Sequence, residues 1–198
     1  MTERIRVTPV DGSALLVMDV QRGIVERYDD DAGYLGRLAG AIAAARAAGI
    51  PVIYVTISFR PGHPEISRAN RTFSGIAASG RFVAGDQATE IHPAIAPLEQ
   101  DVIVLKRRVS AFTGSDLDVV LRGLGARTLV LAGIATSGVV LSTLRQAADL
   151  DYQLEVLSDG CLDADPEVHR VLTEKVFPRQ AQVRTVAEWT ASIAGTPK

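Results

Sequence analysis

A chain of 198 residues, 47% hydrophobic and 22% charged, has the balance of a soluble globular protein and length enough for one sizeable core. Its formal net charge of -2 gives no electrostatic footing for nucleic acid or an anionic membrane surface. One cysteine excludes an intrachain disulfide framework and suits a reducing cytoplasm; the N-terminus lacks the apolar core of a signal peptide and no run approaches membrane-spanning length. The expectation is a single domain over residues 1–198, cytoplasmic, with no membrane contact.

Ala14-Leu15-Leu16-Val17-Met18 reads as a first buried strand, closed by Asp19. A carboxylate there is either a solvated edge or a site group. Asp29 to Asp31 precede a helix whose Leu35, Leu38, Ile42 and Ala45 form one apolar face, and Gly49-Ile50-Pro51 ends it. The three aspartates read as favourable charges at a helix N-terminus. Val52-Ile53-Tyr54-Val55 is the second strand. From Thr56 to about Gly85 the chain is polar, glycine-dotted and too long for a simple connection. It reads as a lid or a partner surface, with Ile66, Phe73, Ile76 and Phe82 in no regular pattern.

Val102-Ile103-Val104-Leu105 is the third strand; Lys106 closes it and Arg107 and Arg108 follow. By position alone this is a basic strand end. Ser115 caps a short helix carrying Leu117, Val120, Leu121 and Leu124, which Gly125 ends. The pair Gly123-x-Gly125 precedes a strand, so it is no dinucleotide fingerprint. The apolar run Leu129 to Ala132 is the fourth strand, broken at once by Gly133. Thr136 or Ser137 offers an N-cap, and Val140, Leu144, Ala147 and Ala148 follow at helical spacing. Leu154-Glu155-Val156-Leu157 is a fifth strand ending in Ser158-Asp159-Gly160-Cys161. Asp165 or Pro166 opens a helix with Val168, Val171, Leu172 and Val176 inward. A short strand near Gln182-Val183 and a helix containing Trp189 complete the chain. Alternating strands and helices predict a parallel sheet covered on both faces, with ligands at the carboxyl ends of the strands.

Three segments carry a resemblance: Met18-Asp19-Val20-Gln21, Lys106 with Ser110-Ala111-Phe112, and Gly133-Ile134-Ala135-Thr136-Ser137-Gly138 continued by Leu141-Ser142-Thr143. Together they resemble the isochorismatase-like (cysteine hydrolase) family. The resemblance implies an α/β fold: a doubly wound, six-stranded parallel sheet in the order 3-2-1-4-5-6 with helices on both faces. It implies Asp19 as the catalytic aspartate, Lys106 as the lysine that holds it, and Val139 at the position of the family cysteine. It also implies a cis peptide between Ile134 and Ala135 orienting oxyanion donors, with Gln21, Phe112, Ile134, Ala135 and Gly138 binding substrate. Nicotinamidase-type relatives place Asp-x-His metal ligands after the second strand. Ser58 and Arg60 stand there instead, and His63 and His92 lie far apart and read as solvated loop histidines. No metal and no cofactor are therefore expected. The expected partner is a small-molecule substrate, and relatives imply a homodimer or larger homo-oligomer.

Asp19, Lys106 and the Gly133 turn all fall at carboxyl ends of strands, and a lysine stem spans the roughly 5 Å between neighbouring strands. Val139 has no nucleophilic atom, which leaves three readings open. One is a hydrolase using Asp19 and Lys106 without a covalent step, for example by acid cleavage of an enol ether. The second is an amidohydrolase whose nucleophile is displaced to Cys161 or Ser137, although a buried structural thiol and a helix cap are the simpler roles. The third is a non-catalytic oligomer that binds a small ligand. Lys106 lowers the Asp19 pKa while apolar Val139 and Phe112 raise it by desolvation, a balance that sequence leaves open.

Overall fold

A computed structural model describes residues 12–28 and 31–194; the helix-start aspartates Asp29 and Asp30 lie outside the described residues. Six strands, β1 (Ser13–Met18), β2 (Val52–Ile57), β3 (Val102–Lys106), β4 (Thr128–Ile134), β5 (Gln153–Leu162) and β6 (Gln182–Arg184), form one parallel sheet. Their order is β3-β2-β1-β4-β5-β6, the doubly wound order the resemblance implied. Helices α1 (Arg22–Val25), α2 (Tyr34–Ala47), α3 (Arg71–Ser79), α4 (Leu117–Leu124), α5 (Leu141–Asp149), α6 (Pro166–Val171) and α7 (Val186–Ala194) connect and cover it. No helix among the described residues is long and apolar enough to cross a membrane.

The two-residue period of a strand sends Ala14, Leu16 and Met18 to one face and Leu15 and Val17 to the other. Both sets are buried. The first packs with Leu117 and Leu121 of α4 and Leu144 and Ala147 of α5. The second packs with Tyr34, Leu38, Ala41, Ile42 and Ala45 of α2 and with Val186 and Trp189 of α7. Burial on both faces is why β1 and β4 read as unbroken apolar runs instead of alternating ones.

Four local expectations are corrected. First, β5 extends through Cys161 to Leu162, beyond the apolar run that marks its start. Its pairing with β4 shifts register between Leu131 and Gly133. Second, the segment after β2 is structured. Asn70 caps α3 by accepting from the Phe73 amide at 3.1 Å, and Gly80 closes it in the left-handed region at φ 64. Ile57, Phe59, Phe73 and Phe82 make a small core of their own, so two of the apolar residues offered to a partner are turned inward. Third, Val168 is exposed on α6. Fourth, Thr136 and Ser137 do not cap α5, because a π-helical turn over Thr136–Val140 precedes it.

Gly133 is required where it stands. Its φ is 143, and a Cβ built there would lie 2.1 Å from the Met18 carbonyl oxygen, so β1 and β4 approach closely only because no side chain intervenes. Gly133→Ala is expected to cost more than about 4 kcal/mol. Gly40→Ala, inside α2 with nothing within 4 Å, should instead stabilise by about 0.5–1 kcal/mol. Urea denaturation of both variants checks the pair; an undisturbed Gly133→Ala protein would contradict the assignment.

Candidate active site

Asp19 follows the last residue of β1 and sits in the left-handed region at φ 57, which aspartate tolerates better than most side chains. Its amide donates to the Val55 carbonyl of β2 at 2.8 Å. Lys106 ends β3, pairing in register with Ile57. The two strands are not neighbours, as the sequence-based reach argument took them to be, since β2 runs between them. The lysine stem therefore bridges two strand spacings, about 9–10 Å, with help from the aspartate side chain. It succeeds: Lys106 Nζ lies 2.8 Å from Asp19 Oδ2, with both side chains almost wholly out of water.

The ammonium also donates to the Arg108 carbonyl at 3.0 Å. Asp19 Oδ1, by contrast, is buried with no partner among the described residues. Burial raises the Asp19 pKa, the Lys106 charge and hydrogen bond lower it, and burial wins. That outcome is reasonable for a carboxylate with one oxygen unpaired, since desolvating an ion costs more than a single contact returns. A raised carboxyl held at one oxygen and unpaired at the other can carry a proton on Oδ1 while Oδ2 stays on Lys106.

The remaining sequence-derived residues divide. Val139 is buried at the first turn after β4, in the apolar cluster that includes Met18. The Ile134–Ala135 peptide is cis, Ile134 is buried, and the Ala135 carbonyl accepts from the amides of Gly138 at 3.1 Å and Val140 at 3.3 Å. The Gly138 amide is thus engaged within the turn. Gln21 is fully buried and bonded to backbone only. Its Nε2 donates to the carbonyls of Ile57 (3.0 Å) and Thr89 (2.7 Å), and its Oε1 accepts from the Ile57 amide at 2.8 Å. The side-chain amide continues the ladder beside β2 after β1 has ended, so both of its N–H groups are taken. The Phe112 ring packs against Tyr152, centroids 6.1 Å apart, just before the first residue of β5, and shares the apolar cluster of Met18 and Val139.

Two residues that sequence reasoning missed hold the turn from outside. Asp163 Oδ2 accepts from the Ser137 amide at 2.6 Å. His169 Nδ1 and Thr136 Oγ1 share a hydrogen bond of 2.8 Å. Asp163 directly follows β5, the neighbour of β4, and His169 lies on α6 after it, so strand order plus polarity at that strand end was the available signal for Asp163 alone. Burial keeps the His169 imidazole below its ordinary pKa, with Asp163 opposing in part.

Cys161 is buried, its Sγ near the Leu131 carbonyl at 3.9 Å, and burial pushes the thiol up to about 12. Ser137 is exposed at the surface of the turn. His63 is not a solvated loop histidine; it is buried with Nε2 2.7 Å from the Arg81 carbonyl. Arg60 pairs with Glu65. Among the described residues no group of three or more His, Cys, Asp or Glu side chains is placed to hold a metal ion.

Residues 13–188 match the family model described as the Isochorismatase domain. The chain is 32% identical over 182 residues to the uncharacterized isochorismatase family protein YecD of Escherichia coli O157:H7, covering 89% of this chain and 93% of that one. It is 33% identical over 216 residues to the ureidoacrylate amidohydrolase RutB of Pseudomonas syringae pv. syringae, covering 96% and 84%. Among solved structures, an isochorismatase family protein from Burkholderia thailandensis has a TM-score of 0.81 at 30% identity, over 94% of this chain and 98% of its own.

Removing Lys106 tests the pair. In Lys106→Met the Asp19 charge is left buried and alone, at a cost of about 3–5 kcal/mol once it is ionised. Because its folded-state pKa lies above the ordinary value, protonation favours the folded state, and stability falls as pH rises through that pKa. The deficit relative to wild type should be largest near pH 8 and shrink towards pH 4. A deficit independent of pH would mean that lost packing, not the uncompensated carboxylate, sets the cost.

Proposed function

The chain belongs to the isochorismatase family of hydrolases, and from that premise we propose that it hydrolyses a small molecule by acid catalysis at Asp19, without a covalent intermediate. The single observation that carries this reading is the raised Asp19 carboxyl, tied to Lys106 through Oδ2 and unpartnered at Oδ1.

For an enol ether, Asp19 Oδ1 delivers its proton to the terminal carbon of the double bond, and the ether carbon takes on oxocarbenium character. Water adds to that carbon and loses its proton, which returns to Asp19. The resulting hemiketal collapses to a carbonyl compound and an alcohol. Lys106 holds the carboxylate in place between the two proton transfers and stabilises its charge while it is deprotonated. Val139 supplies an apolar wall with no competing proton acceptor.

A second reading is amide hydrolysis, favoured by the relatives named ureidoacrylate amidohydrolase. It needs a nucleophile other than Val139. Cys161, whose thiol burial pushes up to about 12, is a poor one. A water activated by ionised Asp19 would serve instead.

Initial rates on an acidic vinyl ether and on ureidoacrylate separate the readings. Wild type should turn over the vinyl ether, Asp19→Asn should lose about 10²–10⁴-fold, and Cys161→Ala should be unaffected. Since the acid must be protonated, the rate should fall as pH rises through the raised Asp19 value and persist above the ordinary carboxylate range. Val139→Cys should leave vinyl ether turnover level or lower. Amide hydrolysis confined to Val139→Cys, with no vinyl ether turnover in either protein, would overturn the proposal in favour of a decayed cysteine hydrolase.

A further inference from the structure

The rim beside the ion pair carries more positive charge than it neutralises. Arg60 and Arg107 both turn to one carboxylate, Glu65, at 2.7 and 3.3 Å, and Lys106 is matched by Asp19. Arg108 has no carboxylate partner among the described residues. Its guanidinium is nevertheless fixed in place: one terminal nitrogen donates to the Arg107 carbonyl at 2.6 Å and the other to the Glu65 carbonyl at 3.0 Å. Its own carbonyl receives the Lys106 ammonium, so one cation joins the Asp19 carboxylate to the Arg108 backbone. The side chain is half-buried, and three of its five N–H groups remain uncommitted.

Backbone carbonyls orient a guanidinium without cancelling its charge. A planar, pre-oriented, unneutralised guanidinium on the loop whose backbone receives Lys106 is suited to pairing with a carboxylate through two parallel hydrogen bonds. We propose that Arg108 is the anchor for a substrate carboxylate, and that the protein therefore selects small organic anions over their neutral counterparts. This rests on the reading that the Asp19–Lys106 edge is the substrate site, and it specifies the class of molecule that binds there. The loop from β2 and the loop from β3 then share the work: Glu65 offsets two of the arginines and, through its carbonyl, aims the third.

Ligand-observed NMR titrations with benzoate and benzamide, which differ in charge but hardly in shape, test the assignment without requiring turnover. Wild type should bind benzoate at least about tenfold more tightly than benzamide. Arg108→Met should abolish the preference, Arg108→Lys should retain only part of it, and Asp19→Asn should keep it. A brace between two loops, with no ligand role, would weaken both probes alike and leave their ratio unchanged. The proposal is overturned if the preference survives in Arg108→Met, if wild type binds the two equally, or if neither binds at millimolar concentration. Because binding is read directly, a protein that prefers benzoate yet hydrolyses neither enol ethers nor amides would refute the catalytic reading and leave this one standing.

Discussion

A lysine ammonium held against a carboxylate across an intervening strand, with both groups out of water, is the constraint that the rest of the structure serves. The bridge closes only if β1, β2 and β3 keep their register, because Asp19 stands one residue past the Met18–Val55 pair and Lys106 is paired with Ile57. Both side chains are almost wholly buried. Such a pair is a weak contributor to stability, since desolvation offsets much of its attraction. Its cost is easier to understand as chemistry than as architecture: it leaves a carboxyl whose pKa is raised and one of whose oxygens is free.

The turn after β4 obeys the same logic from the other side of β1. Gly133 allows the strands to close, while Asp163 and His169 tie down the amide of Ser137 and the hydroxyl of Thr136. Gln21 does the equivalent service at the exit of β1, giving Ile57 the ladder partner it would otherwise lack. The exits of β1 and β4 are thus each closed by polar side chains.

Much of this could be read from sequence, for an identifiable reason. Buried parallel strands announce themselves as apolar runs, and the residue that ends such a run stands at the carboxyl edge of the sheet; position alone left Asp19 a solvated edge or a site group and Lys106 a basic strand end, and the resemblance singled them out. Side-chain roles set by direction were harder. Gln21 has the right address but turns its amide to backbone, and Phe112 lies in the right loop but packs towards Tyr152. The helix after Asn70 was missed because its apolar residues, Phe73 and Ile76, form one short stripe inside a polar segment, too brief for periodicity to stand out. His63 was read as solvated because its partner, the Arg81 carbonyl, is eighteen residues away and invisible to any local rule.

Cys161 has a practical consequence. It is the only thiol in the chain, it sits within a central strand, and burial pushes it up to about 12, so at neutral pH maleimides and mild oxidants find almost no thiolate to attack. The natural protein can therefore serve unmodified as a background-free host for spectroscopic labels. A cysteine placed on the α3 surface or in the loop following β3 would be the single reactive handle, and motion of the site rim could be followed by fluorescence or spin labelling without first deleting a native residue.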